Sequence, residues 1–190
     1  MPELWLIRHG QTEWSLSGQH TGRSNISLTE EGRRQAEGVG RHLTGRSFAL
    51  VLVSPLARAR ETCELAGFGG RAEVDPNLYE WDYGEAEGYT AQQVRQRIPG
   101  WRLWVDGPPG GETVEQVGAR ADAVIARAGK AAGDVLLFAH GHVLRILTAR
   151  WLGLEPTGGQ LFALETGSVS RLGYEHETRV IARWNLPTSP

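Results

Sequence analysis

One cysteine, one lysine and no long apolar run set the limits of this 190-residue chain. A single cysteine, Cys63, excludes an internal disulfide. It lies in an apparent helix over 57–66 with neither His nor Asn beside it, so it reads as a packed core thiol rather than a nucleophile. No apolar stretch approaches the roughly 20 residues of a membrane span. The first strand-like segment begins almost at Met1, so no signal peptide is expected and the cytoplasm is the expected location. A net charge of −2 supplies no general field for nucleic acid or an anionic membrane. Any anion site must therefore be local; Lys130 is the only lysine, an arginine bias that reads as genomic base composition rather than function. The Gly-x-x-x-x-Gly-Lys loop of nucleotide binders and the Gly-x-Ser-x-Gly elbow of serine hydrolases are both missing.

What is present is an alternation of apolar runs with helical periodicity. Leu4–Ile7, Leu50–Val53 and Val135–Phe138 are short, continuous and apolar, as in strands buried on both faces. A helix is expected over Leu28–Leu43, with Thr29 as N-cap and Glu30 and Glu31 in its first turn. Ser54-Pro55 reads as an N-cap and first helical position, opening a helix that carries Arg58, Arg60 and Cys63. Thr90–Ile98 is a short helix, and Trp101–Glu112 is loop because it holds Gly107-Pro108-Pro109-Gly110-Gly111. Thr113 and Gln116 form a capping box for a helix to about Ala131. Another helix follows His140 and runs through Trp151. Leu161–Glu165, Ser168–Tyr174 and Arg179–Trp184 read as antiparallel strands, and Pro187–Pro190 as a frayed tail. The expected fold is α/β: a single domain over 1–186 with a mostly parallel central sheet, helices on both faces and antiparallel C-terminal strands.

Three of these strands end in polar, ionisable groups: Arg8-His9-Gly10, then Ser54-Pro55 with Arg58, then His140-Gly141-His142. Parallel strands bring their carboxyl ends to one rim, where open α/β sheets bind ligands. Two histidines and two arginines on one rim suit an anion: imidazole is a nucleophile near neutral pH and guanidinium grips phosphate oxygens. Each group alone also fits a bland role, Arg58 as a surface arginine and His140 as a satisfied core histidine. A metal held by His9, His140 and His142 is the rival chemistry. It is disfavoured because no carboxylate stands at ligand spacing and two arginines would repel a cation. Transfer of phosphate through histidine also needs an acid for the leaving oxygen. Glu80, after a short strand-like segment and among Tyr79, Trp81 and Tyr83, offers one; partial burial would keep it protonated. Asp82, Glu85 and Glu87 read as an ordinary solvated acidic loop.

The residues that carry this chemistry resemble the histidine phosphatase superfamily, in its phosphoglycerate mutase-like branch. The resemblance spans nearly the whole chain: Arg8-His9-Gly10-Gln11-Thr12, Thr21-Gly22, Leu28-Thr29-Glu30-Glu31-Gly32, Ser54-Pro55-Leu56-Ala57-Arg58, Leu78-Tyr79-Glu80 with Gly84 and Glu87-Gly88, Gly111-Glu112-Thr113, and Ala139-His140-Gly141. It implies that His9 attacks phosphorus and becomes phosphohistidine. It implies that Arg8, Arg58 and His140 hold the phosphoryl oxygens, that Glu80 serves the leaving group and then water, and that neither metal nor cofactor is needed. It also implies a phosphoglycerate mutase-like three-layer sandwich. Nearby cations should keep His9 neutral.

Mutases of this family carry a longer insert with a lysine and an arginine pair after the Glu80 motif. Here 88–111 is short, without lysine and with Arg95, Arg97 and Arg102 scattered, which favours hydrolysis over mutase chemistry. A non-catalytic phosphate-binding module would have lost His9, Arg58, Glu80 or His140. The strings around Trp14-Ser15, Trp81, Tyr83, Trp104 and His142 are most similar to fungal sedoheptulose-1,7-bisphosphatases, implying sugar phosphates or bisphosphates as the small-molecule partner. Many relatives carry Asn where Ser15 stands. Ser15, Thr21, Gly22, Arg23, Trp81 and Tyr83 are the expected substrate contacts, with Arg23 a candidate for a second phosphate. Monomer and homodimer are equally compatible with the composition.

Overall fold

Side-chain alternation along the strands builds two cores, one on each face of a single sheet. A computed structural model describes residues 1–188. Its elements run β1 (Leu4–Arg8), α1 (Glu13–Ser17), α2 (Glu30–His42), β2 (Leu50–Val53), α3 (Ala57–Leu65), β3 (Glu73–Val74), α4 (Ala91–Arg97), α5 (Leu103–Asp106), α6 (Val114–Ala128), β4 (Val135–Ala139), α7 (Gly141–Trp151), β5 (Val169–Glu175) and β6 (Thr178–Leu186). The strand order is β3-β2-β4-β1-β5-β6. The first four strands of that order are parallel, and β5 and β6 are antiparallel.

Leu4, Leu6, Val135 and Leu137 face α6 and α7 through Val117, Ala121, Val124, Leu144 and Leu147. Trp5, Ile7, Leu136 and Phe138 face α2 and α3 through Val39, Leu43, Ala59 and Cys63. The α/β expectation, with helices on both faces and antiparallel C-terminal strands, therefore holds. Burial of these aliphatic side chains is worth roughly 1.5–3 kcal/mol each. The helix starts follow their caps: Thr29 accepts from Gly32 N–H at 3.0 Å, and Thr90 and Thr113 form reciprocal capping boxes.

Four local expectations fail, each for a tertiary reason. Ser54 does not cap α3, which starts at Ala57 without a side-chain cap. The Ser54 hydroxyl is instead engaged by His140 Nε2 at 2.7 Å. Leu161–Glu165 is not a strand: 156–161 is a 3-10 helix, and β5 already has β1 and β6 on its two edges. Within Trp101–Glu112 a single turn, α5, forms because Asp106 accepts from Arg102 N–H at 2.7 Å. The segment before Glu80 is no strand but a 3-10 turn over Pro76–Leu78, capped by Asp75. Of the expected tail, Thr188 is tied down, its hydroxyl donating to Gly167 O at 2.8 Å; Ser189 and Pro190 lie outside the described residues.

Candidate active site

Parallel register brings the three strand ends together. Arg8 of β1 stands opposite Ala139 of β4, and Val53 of β2 opposite Phe138. The next residues, His9, Ser54 and His140, thus share one rim. The backbone N–H of His9 donates to Ala139 O at 3.0 Å, and that of Ser54 to Phe138 O at 2.9 Å. Gly10 lets the chain turn away under the start of α2: a Cβ there would stand 2.2 Å from Gly32 O. His9 is 5% exposed. Its Nδ1 lies 2.7 Å from Gly10 O. A carbonyl only accepts, so Nδ1 carries the hydrogen and Nε2 keeps a free lone pair. Burial, reinforced by Arg58 and Arg8, holds the His9 imidazole well below its usual range and therefore neutral.

Three cationic or donor groups converge on this histidine. Arg8 Nη1 donates to Leu164 O, the segment once expected as a strand. Arg58 is fully buried and donates to Ser24 O at 2.8 Å, Thr21 O at 2.9 Å and Gly22 O at 3.0 Å. His140 is buried beside His9, its Nε2 matched to the Ser54 hydroxyl. That hydroxyl also accepts from Leu56 N–H at 3.3 Å; with its own hydrogen on His140 Nε2, His140 Nδ1 is the protonated nitrogen and a donor. Arg8 Nε, Arg58 Nε and His140 Nδ1 have no hydrogen-bond partner among the described residues, although all three are buried. Unpaired buried donors are costly, about 1–3 kcal/mol each, and three on one site define a place for an acceptor-rich group such as phosphate. Burial, then Arg58, His9 and Arg8, also lowers the His140 pKa.

Glu80 is 4% exposed and lies across the same crevice. Oε1 accepts from Trp81 N–H and Val143 N–H, each at 2.9 Å, and Oε2 from His142 N–H at 3.0 Å. Two of these donors come from the first turn of α7, whose N-cap is His140. One helix end thereby positions both Glu80 and His140. Tyr83 closes the wall with its hydroxyl 2.6 Å from His142 Nδ1. Burial and Glu80 push the Tyr83 phenol up, so it is a neutral donor to a neutral imidazole.

The cavity measures about 180 Å³. Arg8, His9, Glu80, Ser15, Thr21 and Tyr83 all line it. The Ser15 hydroxyl, however, is spent on the start of α1, accepting from Thr12 N–H and donating to Thr12 O, both at 2.9 Å. Gly22, Arg23 and Trp81 do not line it. Gly22 works from behind, through its carbonyl on Arg58. Arg23 stacks on Tyr79 at 4.0 Å and faces Asp82 and Glu112, each at 3.8 Å. Trp81 is wholly buried and donates its indole N–H to Glu112 O at 2.8 Å.

Sequence reasoning missed other residues. His20 and Arg145 line the cavity, as does His142, which the sequence placed on the rim without a phosphate role. Arg145 follows Gly141 by four residues on α7, so it shares the helix face that opens on the cavity, but in sequence it looks like any helix arginine. Glu87 is not a solvated loop acid. It accepts from Gly22 N–H at 3.0 and 2.9 Å and from Ser24 N–H at 3.0 Å, folding the loop whose carbonyls hold Arg58.

Known proteins resemble this chain along nearly its whole length. The sequence pattern of the histidine phosphatase superfamily (branch 1) matches residues 4–187. An acid phosphatase of Mycobacterium tuberculosis is 41% identical over 98% of this chain and 94% of its own. A sedoheptulose 1,7-bisphosphatase of Saccharomyces cerevisiae is 35% identical over 80% of this chain and 68% of its own. A solved structure from Mycobacterium tuberculosis, that of open reading frame Rv3214, superposes with a TM-score of 0.92 at 40% identity, covering 98% of each chain.

Proposed function

Because this chain belongs to the histidine phosphatase superfamily, branch 1, we propose that it hydrolyses phosphate monoesters of sugars through a phosphohistidine at His9. The observation that carries the reading is the trio of buried, unpartnered donors around His9: Arg8 Nε, Arg58 Nε and His140 Nδ1. They match the oxygens of a phosphoryl group, and two guanidinium charges offset its charge of about −2.

In the first step His9 Nε2 attacks phosphorus in line, and the bond from phosphorus to the ester oxygen breaks. Glu80 gives a proton to that oxygen, and the alcohol leaves. In the second step the Glu80 carboxylate takes a proton from water, which attacks phosphorus and breaks the P–N bond. Phosphate leaves and His9 is neutral again. Guanidinium and imidazole donors meet the developing charge, so the route calls on no metal. Relatives named as acid phosphatase and sedoheptulose bisphosphatase support hydrolysis of sugar esters. A mutase is less favoured: Arg95 is spent on Trp101 O at 3.0 Å, Arg97 stacks on Tyr89, and neither these nor Arg102 lines the cavity. The one thiol is buried and free, so the fold rests on no disulfide that would need an oxidising compartment, and the cytoplasm is the proposed location.

Turnover of p-nitrophenyl phosphate, with an alkaline quench to trap phosphohistidine, tests the proposal. Wild type should turn over and label, His9→Ala should do neither, and EDTA should leave the rate unchanged. Full turnover by His9→Ala would overturn it.

A further inference from the structure

We propose that Arg145 binds a second anionic group, so that the preferred esters carry a phosphate or carboxylate besides the phosphoryl group taken by His9. The inference rests on the phosphatase reading above and extends it to substrate class.

The same helix supplies both ends of the site. His140 is the N-cap of α7, and Gly141, His142 and Arg145 face the cavity. Gly141 and Arg145 are four residues apart and share a helix face, about 6 Å or just over one turn along the axis. Gly141 lies against Arg8: a Cβ there would meet Arg8 Nε at 3.4 Å. Arg145 therefore stands one turn beyond the phosphoryl clamp, on the same wall.

Its guanidinium is held but not neutralised. Nε donates to Gly159 O at 3.1 Å and Nη2 to Gln160 O at 3.3 Å. The group sits over the Trp104 ring, 4.9 Å from its centroid. Those contacts fix the fork and leave Nη1 without a protein acceptor among the described residues. Arg23, Arg33, Arg120 and Arg150 each have a carboxylate within 4.0 Å, whereas among the described residues no ion pair involves Arg145. Burial keeps His20 and His142 neutral on that wall, and Glu80 is the acid whose charge reaches Arg145 until it is protonated to serve the leaving group. Arg8 and Arg58 already answer the dianionic phosphoryl group, and Glu80 delivers its proton to the leaving oxygen. One positive charge in the cavity is left over, and it belongs to Arg145. Arg23, the sequence-level candidate for this role, is engaged by Asp82 and Glu112 outside the cavity.

Calorimetric binding in a His9→Ala background, which cannot turn over, tests the subsite. Fructose 1,6-bisphosphate is compared with fructose 6-phosphate, and 3-phosphoglycerate with glycerol 3-phosphate. With Arg145 present, at least one doubly anionic ligand should bind tenfold or more tightly than its partner. Arg145→Met should cut that preference below threefold, and Arg145→Lys should keep part of it. Dependence of the sugar pair on Arg145 identifies a second phosphate, and dependence of the glycerate pair identifies a carboxylate. Equal binding within both pairs, or a parallel loss for singly and doubly anionic ligands in both variants, would make Arg145 only a brace for 159–160 and overturn the proposal. An intact preference in a wild-type protein without p-nitrophenyl phosphatase activity would instead sink the phosphatase reading and leave the subsite standing.

Discussion

His9 and His140 face each other with ring centroids 5.2 Å apart and planes tilted by 57°. Their closeness follows from the β1–β4 register, which sets Arg8 opposite Ala139. Two imidazolium ions at that distance, buried beside Arg8 and Arg58, would repel strongly, and burial alone already disfavours either charge. The pair therefore works as two neutral rings, one with a lone pair and one with a donor.

The acid limb of the pH–rate profile should reflect this. His9 should stay unprotonated well below its ordinary pKa of about 6.5, since burial and then Arg58 and Arg8 lower it. Removing Arg58 removes a positive charge that opposes protonation. In Arg58→Met the limb of kcat/KM should move upward toward neutral pH, beyond the overall drop in rate, with the same substrate in both profiles. An unmoved limb would contradict the electrostatic assignment.

Stability should fall with acid for the same reason. His9, His140 and His142 are held neutral in the native state, whereas the unfolded chain takes up protons below about pH 6.5. The unfolded state then binds more protons, so stability is fully present above that pH and is lost as pH drops below it. The slope is up to about 1.4 kcal/mol per pH unit for each histidine. Urea midpoints between pH 7.5 and 5.5 should show it, and His142→Asn should flatten the slope by about one proton.

Glu80→Gln should separate acid catalysis from binding. Loss of a general acid costs on the order of 10²–10⁴ in rate. The loss should be large for sugar phosphates, whose alkoxide needs a proton, and much smaller for p-nitrophenyl phosphate, whose phenolate leaves unaided. Equal losses on both esters would remove Glu80 from the role of acid.

Glu87→Ala should act at a distance. It strips the acceptors from Gly22 and Ser24 N–H, whose residues, with Thr21, present the carbonyls that hold Arg58. A stability loss of about 1–3 kcal/mol is expected, together with a rise in KM that exceeds any fall in kcat. A fall confined to kcat would argue that Glu87 handles protons itself.

Much of this molecule is legible along the chain because the responsible forces are local. Apolar runs of four or five residues mark β1, β2 and β4. Threonine caps mark the starts of α2, α4 and α6, and the polar residue after each strand marks the rim. Arg8, His9, Arg58 and His140 could be named together because parallel strands leave their carboxyl ends no other place to meet. What depends on where a side chain points was settled only by tertiary contacts. Ser15 lines the cavity yet spends its hydroxyl on a helix cap, Trp81 turns into the core, and Arg23 is captured by two carboxylates. Glu87 becomes the anchor of a loop 63–65 residues away in sequence. Arg145 reads in sequence as one more helix arginine; docking of 156–161 against α7 aims it at the cavity. Patterns of period two and 3.6 are written in neighbouring residues, whereas the partner of a long polar side chain is chosen by packing between segments far apart in the chain.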